Sequence, residues 1–168
     1  MNEEYELYKR MWTSGYRKSQ CAIPLISFIE KECLQTDRMI EIGSGEGTTI
    51  RGLKAKGYEV IGTDIYSTRE DIVECPAWAL PFGDESFDVS FSTDVLEHLP
   101  TESVDDAIKE ILRVTKRKSI HVIACWGDVR NGEVLHKTVM PIKWWQEKFA
   151  QLNTQGKELI VIDRDRFL

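Results

Sequence analysis

The sequence predicts an α/β fold of three layers: a doubly wound, mostly parallel sheet with helices on both faces. Three observations lead there. Short apolar runs alternate with helical patterns along the chain, which is the signature of βαβ units. The first run, residues 38–42, enters a glycine-rich turn, Glu41-Ile42-Gly43-Ser44-Gly45-Glu46-Gly47, and a helical pattern follows at once. The second run, residues 58–64, ends on Asp64, seventeen positions after Gly47. An acidic residue about 20 positions beyond such a turn is where a doubly wound sheet holds a ribose diol.

Each element follows from its local pattern. Residues 1–20 are polar with interleaved aromatics, Tyr5, Tyr8, Trp12 and Tyr16, and read as an N-terminal arm or short helix. Apolar positions at Leu25, Ile26, Ile29, Cys33 and Leu34 place a helix over about 23–33. The first strand is 38–42, and its helix, about 46–56, stops at Gly57, a residue suited to the left-handed position past a helix end. The second strand covers 58–64 and a short third covers 71–74. The fourth begins at Phe87. The helix after it, about 102–115, follows Pro100 and Thr101 and carries the stripe Val104, Ala107, Ile108, Ile111 and Leu112. The fifth strand is 119–124, and the basic run Lys116-Arg117-Lys118 before it reads as a solvated turn. A helix over about 141–151 has Pro141 in its first turn, and 157–163 is the last strand. No repeat, low-complexity tract or linker interrupts the pattern, so the 168 residues make a single domain.

Composition narrows the function. Apolar residues make up 42% of the chain and charged residues 30%, the balance of a soluble globular domain. The net charge of −6 lacks the clustered Lys and Arg that phosphate backbones demand, so no nucleic-acid partner is expected. No apolar run approaches the roughly 18 residues of a membrane span, so no membrane partner is expected. The N-terminus lacks the basic start of a secretory signal. Cys21, Cys33, Cys75 and Cys125 form no Cys-x-x-Cys pair, so neither a metal site nor a disulfide framework is expected. Together these point to a cytoplasmic protein.

The glycine turn has a chemical reading. Glycine tolerates positive φ and has no Cβ, so backbone there can press against a ligand. The loop also aims the free N–H groups of a helix start at that ligand. With Asp64 on a ribose, the ligand is a ribose-bearing cofactor. A dinucleotide would seat its pyrophosphate at the helix start. Glu41 and Glu46 flank that position, and no Lys or Arg lies between Met39 and Ile50, so the loop repels a pyrophosphate. S-adenosylmethionine has no phosphate; its ribose, ammonium and sulfonium suit an acidic rim. At these residues the chain resembles the class I, Rossmann-like S-adenosylmethionine-dependent methyltransferases, and among them the methyltransferase type 11 group. Their first motif reads Glu/Asp-x-Gly-x-Gly-x-Gly.

The resemblance covers about residues 36–125 and includes two further motifs. Pro76-Ala77-Trp78-Ala79-Leu80-Pro81-Phe82 stands where the family has Asp-Ala-x-x-Leu-Pro-Phe beside the adenine. It implies that the Ala77 N–H meets an adenine ring nitrogen. Pro76 replaces the family's aspartate; packing by Trp78, or proximity of Asp71 or Glu74, is the expected substitute. The segment Asp94-Val95-Leu96-Glu97-His98 resembles the family's Asp-Val-Leu-Glu-His. It implies backbone of Ser92 or Thr93 at the methionine part and Leu96–His98 near the reacting methyl. The implied cofactor set is Glu41, Gly43, Ser44, Gly45 and Gly47 on the methionine side, Asp64 on the ribose, Ile65, Ala77 and Trp78 at the adenine, and Thr93 near the methionine.

Methyl transfer is an in-line displacement that needs alignment and exclusion of water. A hydroxyl acceptor benefits from a general base, and an amine needs less help. His121 falls in the middle of the fifth strand and reads as structural. His98, by its motif, and His136, in the loop after the fifth strand, are the catalytic candidates. Residues 135–145 resemble a His-x-x-x-x-Pro-x-x-Trp-Trp stretch in methyltransferases of small-molecule and polysaccharide modification. Trp126, Trp144 and Trp145 are candidate walls for a sugar or flat ring, with at least one of the adjacent pair packed on the sheet. The Asn/Asp-Pro-Pro-aromatic motif of DNA amino-methyltransferases does not follow the fourth strand. Cys75-Pro76 reverses the Pro-Cys order that cytosine methylation needs.

A small-molecule or saccharide acceptor is therefore expected. Residues 1–35 form the arm and first helix, 36–125 the cofactor-binding core, and 126–168 the acceptor-side loop, helix and last strand. The family usually adds an antiparallel strand after its sixth, and residues 163–168 leave little room for it. A shortened C-terminal end follows, with a homodimer as one way to complete the sheet edge. The alternative reading is a catalytically silent cofactor-binding partner subunit of another methyltransferase.

Overall fold

In the computed structural model, which describes residues 3–14 and 22–167, six strands pair into one sheet. In chain order the elements are α1 (Glu3–Thr13), α2 (Ala22–Glu32), β1 (Arg38–Ile42), α3 (Thr48–Ala55), β2 (Glu59–Asp64), β3 (Ile72–Glu74), β4 (Phe87–Thr93), α4 (Thr101–Val114), β5 (Thr115–Ile123), β6 (Val129–Arg130), β7 (Glu133–Val134), α5 (Ile142–Leu152) and β8 (Glu158–Asp163). The sheet order is β3-β2-β1-β4-β5-β8, and every pairing in it is parallel. The order reverses between β1 and β4, the crevice where ligands bind in such sheets. Among the described residues only the short β6–β7 hairpin is antiparallel. Among the described residues no strand pairs with the outer edge of β8. Tyr16, Arg17, Lys18 and Cys21 lie outside the described residues.

Side chains alternate across the sheet, so each strand feeds two cores. Met39 faces one side with Val89, Phe91 and Ile120, covered by Leu25 and Ile29 of α2 and Ile50 and Leu53 of α3. Ile40 and Ile42 face the other with Phe87 and Ile123, covered by the α4 stripe and by Trp145 and Phe149 of α5. Trp145 is fully buried there, so one of the paired tryptophans does pack on the sheet. Trp144 meets its ring edge-on at 5.0 Å.

β5 begins at Thr115, directly after α4, and not at 119 as the sequence suggested. The basic run is therefore strand, not solvated turn. Lys118 is buried between Glu32 (3.1 Å) and Glu158 (2.9 Å), and Arg117 pairs with Asp37 at 2.6 Å. A charged side chain is buried only when partners meet it. These partners come from α2, β8 and the approach to β1, far away in sequence.

Polar side chains also cross the sheet interior. Ser92 Oγ lies 2.7 Å from His121 Nδ1, and Ser119 Oγ lies 2.7 Å from its Nε2. The ring stacks on Phe149 at 4.6 Å. Burial pushes the His121 imidazole down to about 3, so it stays neutral and structural, as its place in the strand suggested.

Candidate active site

The glycine turn bends because three of its residues sit at left-handed φ. At Gly43 (φ +69°) a Cβ would stand 2.3 Å from a Val95 methyl; at Gly45 (φ +54°) it would meet the Trp12 ring at 3.4 Å. An L-residue is strained at both positions, and Gly43 has no room at all. The turn is tied to β2: Ser44 N donates to the Thr63 carbonyl at 2.8 Å, and Gly45 N to Asp64 Oδ2 at 2.8 Å. Gly47 caps α3, which starts at Thr48 and so two residues later than the pattern suggested.

A cavity of about 300 Å³ opens at this point, over the carboxyl ends of β1, β2 and β4. Of the residues assigned to the cofactor from sequence, Glu41, Gly43, Ser44, Gly45, Asp64, Ile65, Ala77, Trp78 and Thr93 line it. Gly47 stands behind the wall, as a helix cap. Asp71 and Glu74 are engaged elsewhere: Asp71 with Arg69 at 2.9 Å, Glu74 with the Ser67 N–H at 3.1 Å. Trp78 is half-buried against the core and lines the cavity.

Two carboxylates shape the electrostatics. Asp64 accepts from Gly45 N through one oxygen and from Tyr66 N at 3.2 Å through the other. The carboxylate lines the cavity, and a carboxylate is an acceptor for ribose hydroxyls. Glu41 is buried, and its Oε2 has no hydrogen-bond partner. Burial pushes this carboxyl up to about 8; a Thr49 hydrogen bond opposes the rise and the Asp64 charge adds to it. An ammonium group is the ligand that such an oxygen lacks. Thr93 Oγ1 is likewise buried and unpartnered. Both fit the methionine end of S-adenosylmethionine.

The loop that carries Ala77 and Trp78 is held from α4. Arg113 donates to the Phe82 carbonyl at 2.8 Å and the Leu80 carbonyl at 3.1 Å, while Glu110 accepts from Leu80 N at 3.1 Å. The mutual bonds of Arg113 and Glu110 hold that carboxyl below its usual range. Cys75 lines the cavity, but burial pushes its thiol up to about 11, which removes it as a nucleophile.

After β4 the chain turns through Asp94, at φ 54°, into a short 3-10 turn, Leu96–His98. Asp94 tolerates left-handed φ better than most residues, and Arg164 binds its carboxylate at 3.1 Å. His98 reaches the cavity wall. His136 does not. It packs behind His98, ring centres 4.7 Å apart, with Nδ1 on the Trp126 carbonyl and Nε2 4.0 Å from Glu97 Oε1. One ligand-type atom each from Glu97, His98 and His136 lies within 4.8 Å of the others, a metal-like composition. The 4.0 Å pair is wider than the roughly 3.4 Å between neighbouring ligands of a tetrahedral zinc ion. Trp126, Trp144 and Trp145 are not on the cavity wall, so the expected tryptophan wall is absent.

Sequence reasoning left one wall of the site unassigned. Glu4, Tyr8 and Trp12 of α1, spaced four apart, line the cavity, and Tyr8 Oη lies 2.7 Å from His98 Nδ1. Their i, i+4 spacing puts them on one helix face. That signal was present, but nothing local said what the face covers.

A nucleoside cofactor without phosphates is the ligand that this crevice fits, which places the chain among the Rossmann-like proteins that bind one. Comparison with known proteins narrows the class. Residues 40–123, half of the chain, match the family described as Methyltransferase domain, and the chain belongs to that family, the type 11 group of class I methyltransferases. Its cofactor is S-adenosylmethionine. The chain is 31% identical over 123 residues to 2-methyl-6-phytyl-1,4-hydroquinone methyltransferase of Synechocystis sp., covering 65% of this chain and 36% of that protein. It is 24% identical over 153 residues to botryococcene C-methyltransferase of Botryococcus braunii, covering 74% of this chain and 40% of that protein. The chain thus spans well under half the length of either relative. Among solved structures, its fold is similar to that of Burkholderia thailandensis 1,6-didemethyltoxoflavin-N1-methyltransferase with bound 1,6-didemethyltoxoflavin and S-adenosylhomocysteine. The TM-score is 0.56 at 17% identity, covering 71% of this chain and 56% of that one. No helix among the described residues is long and apolar enough to cross a membrane.

Proposed function

We propose that this chain transfers a methyl group from S-adenosylmethionine to a hydroxyl of a small-molecule acceptor. The observation that carries the reading is one cavity that joins a cofactor-type lining to an ionisable imidazole. Glu41, Asp64, Thr93 and the glycine turn line it together with His98. When bound, the cofactor supplies a methyl carbon already activated by a positive sulfur. The chain's own residues then bind, align and exclude water. Glu41 and Thr93 hold the methionine end, Asp64 the ribose, and Ala77, Ile65 and Trp78 the adenine. His98 is the base that is left protonated when the acceptor loses its proton, with His136 packed behind it as a positioning residue.

The named relatives act on a hydroquinone and on botryococcene, which supports a small acceptor. An acceptor screen with methyl-labelled cofactor, read by mass spectrometry of the product, tests this. A labelled O-methyl product is the expected result. Tight cofactor binding without turnover on any acceptor would favour a silent partner subunit instead.

A further inference from the structure

α1 does more than cover the crevice. It is fastened on both sides of it: Arg10 pairs with Glu133 at 3.1 Å, Glu4 with Lys137, and Tyr5 meets Tyr66 edge-on at 5.8 Å. Between these anchors, Tyr8 and His98 share the cavity wall, and Tyr8 Oη stands 2.7 Å from His98 Nδ1. At this distance the phenol and the imidazole nitrogen are hydrogen-bonded. Behind His98, the Trp126 carbonyl can only accept, so His136 Nδ1 carries hydrogen and its Nε2 turns to buried Glu97. His136 thus stands between His98 and Glu97.

We propose that Tyr8 and His98 form a proton-relay dyad that deprotonates the acceptor hydroxyl, with Tyr8 the group that touches the acceptor. This rests on the methyl-transfer reading above and deepens it, since it names the group that touches the acceptor hydroxyl. The acceptor's proton passes to Tyr8 Oη as the Tyr8 phenolic proton passes to His98 Nδ1. The freed oxygen pair forms the O–CH₃ bond. The C–S bond breaks, and its electron pair stays on sulfur, which leaves as a neutral thioether. His98 ends as imidazolium and returns its proton to solvent before the next cycle.

Two measurements on the full chain test the dyad. The first needs no acceptor: nitrogen-15 NMR of histidine-labelled protein bound to S-adenosylhomocysteine. Neutral His98 is expected to carry its hydrogen on Nε2, with Nδ1 accepting from Tyr8. Hydrogen on Nδ1 would overturn the relay, because that nitrogen then has no pair to offer. The second is Tyr8→Phe, which keeps the ring and removes only the hydroxyl. Turnover is expected to fall roughly 10²–10⁴-fold, the usual worth of positioned acid–base catalysis. Cofactor affinity by calorimetry and the melting temperature are expected to stay near wild type. Near-normal turnover, or a loss matched by a loss of cofactor affinity, would reduce Tyr8 to a packing residue. A wild-type protein that binds cofactor but methylates no hydroxyl would instead sink the methyl-transfer reading, whatever the NMR shows.

Discussion

Glu41 concentrates the chemistry of the site in one side chain. Free in solution, glutamate loses its proton near 4.5; in the fold, burial raises that value to about 8. Between these values the folded, cofactor-free protein keeps a proton that the unfolded chain has lost. The contribution of Glu41 to stability is therefore greatest below about pH 4.5 and declines as pH rises to about 8. Glu41→Gln is expected to flatten that part of the stability–pH curve. A cationic ammonium reverses the preference, because it favours the carboxylate. Cofactor binding at pH 7 is accordingly expected to release a proton, measurable by calorimetry in buffers of different ionisation enthalpy. A Gln variant that still releases it would remove Glu41 from the ammonium site. Asp64 has a simpler role. Asp64→Ala deletes charge-assisted bonds of about 1.5–3 kcal/mol each, so affinity for S-adenosylmethionine should fall roughly tenfold to a hundredfold per bond. Unchanged binding would show that the ribose sits elsewhere.

Elements decide how firmly these side chains are presented. Residues 76–82 have no regular structure beyond turns, yet they carry Ala77 and Trp78 onto the cavity wall. Their anchor is the exposed side of α4, where Glu110 and Arg113 lie one turn apart and bind the backbone of the loop. Arg113→Met leaves two carbonyls without a charged donor at a part-buried position. A stability loss of roughly 2 kcal/mol is expected, together with a several-fold weaker hold on the adenine end. Denaturant titration and calorimetry read the two effects. If stability falls and cofactor affinity does not, the anchor serves the fold alone. The α3 start shows the same dependence on local fit. The stripe suggested a helix from about 46, but Gly47 at φ +69° ends the turn and delays the helix to Thr48. That delay keeps the backbone of Ser44 and Gly45 on the wall.

At the scale of the whole molecule, the site depends on two cores that meet only through the sheet. Trp145 is the largest fully buried side chain and plugs the α5 side, away from the cavity. Trp145→Ala is expected to cost about 3–5 kcal/mol by leaving a cavity that neighbouring groups cannot fill. Cofactor affinity of the folded fraction should hold, because no Trp145 atom lines the pocket. Chemical denaturation and calorimetry on the same preparation check both parts. A selective loss of affinity would mean that α5 reaches the site through the sheet.

What was legible in the sequence was local. A strand, a glycine turn, a helix and a second strand ending in Asp64 occupy one βαβ unit, so period, turn chemistry and spacing together specified the cofactor crevice. The parallel sheet followed for the same reason, since short βα repeats leave few other topologies. Contacts between distant segments were illegible. His98 and His136 both looked like bases, but only packing shows that one reaches the cavity and the other stands behind it. The tryptophans near residue 145 looked like an acceptor wall, and burial assigned Trp145 to the core instead. Lys116 to Lys118 looked solvated until Glu32, Asp37 and Glu158 met two of them. The arm aromatics had helical spacing but no evident target, until α1 settled across the crevice and brought Tyr8 to His98. Sequence patterns encode what a residue does to its own neighbourhood along the chain. Which remote groups complete a site depends on how the elements dock, and docking is decided by the summed burial and ion pairing of segments far apart in the chain, 90 residues for Tyr8 and His98 and 133 for Glu4 and Lys137.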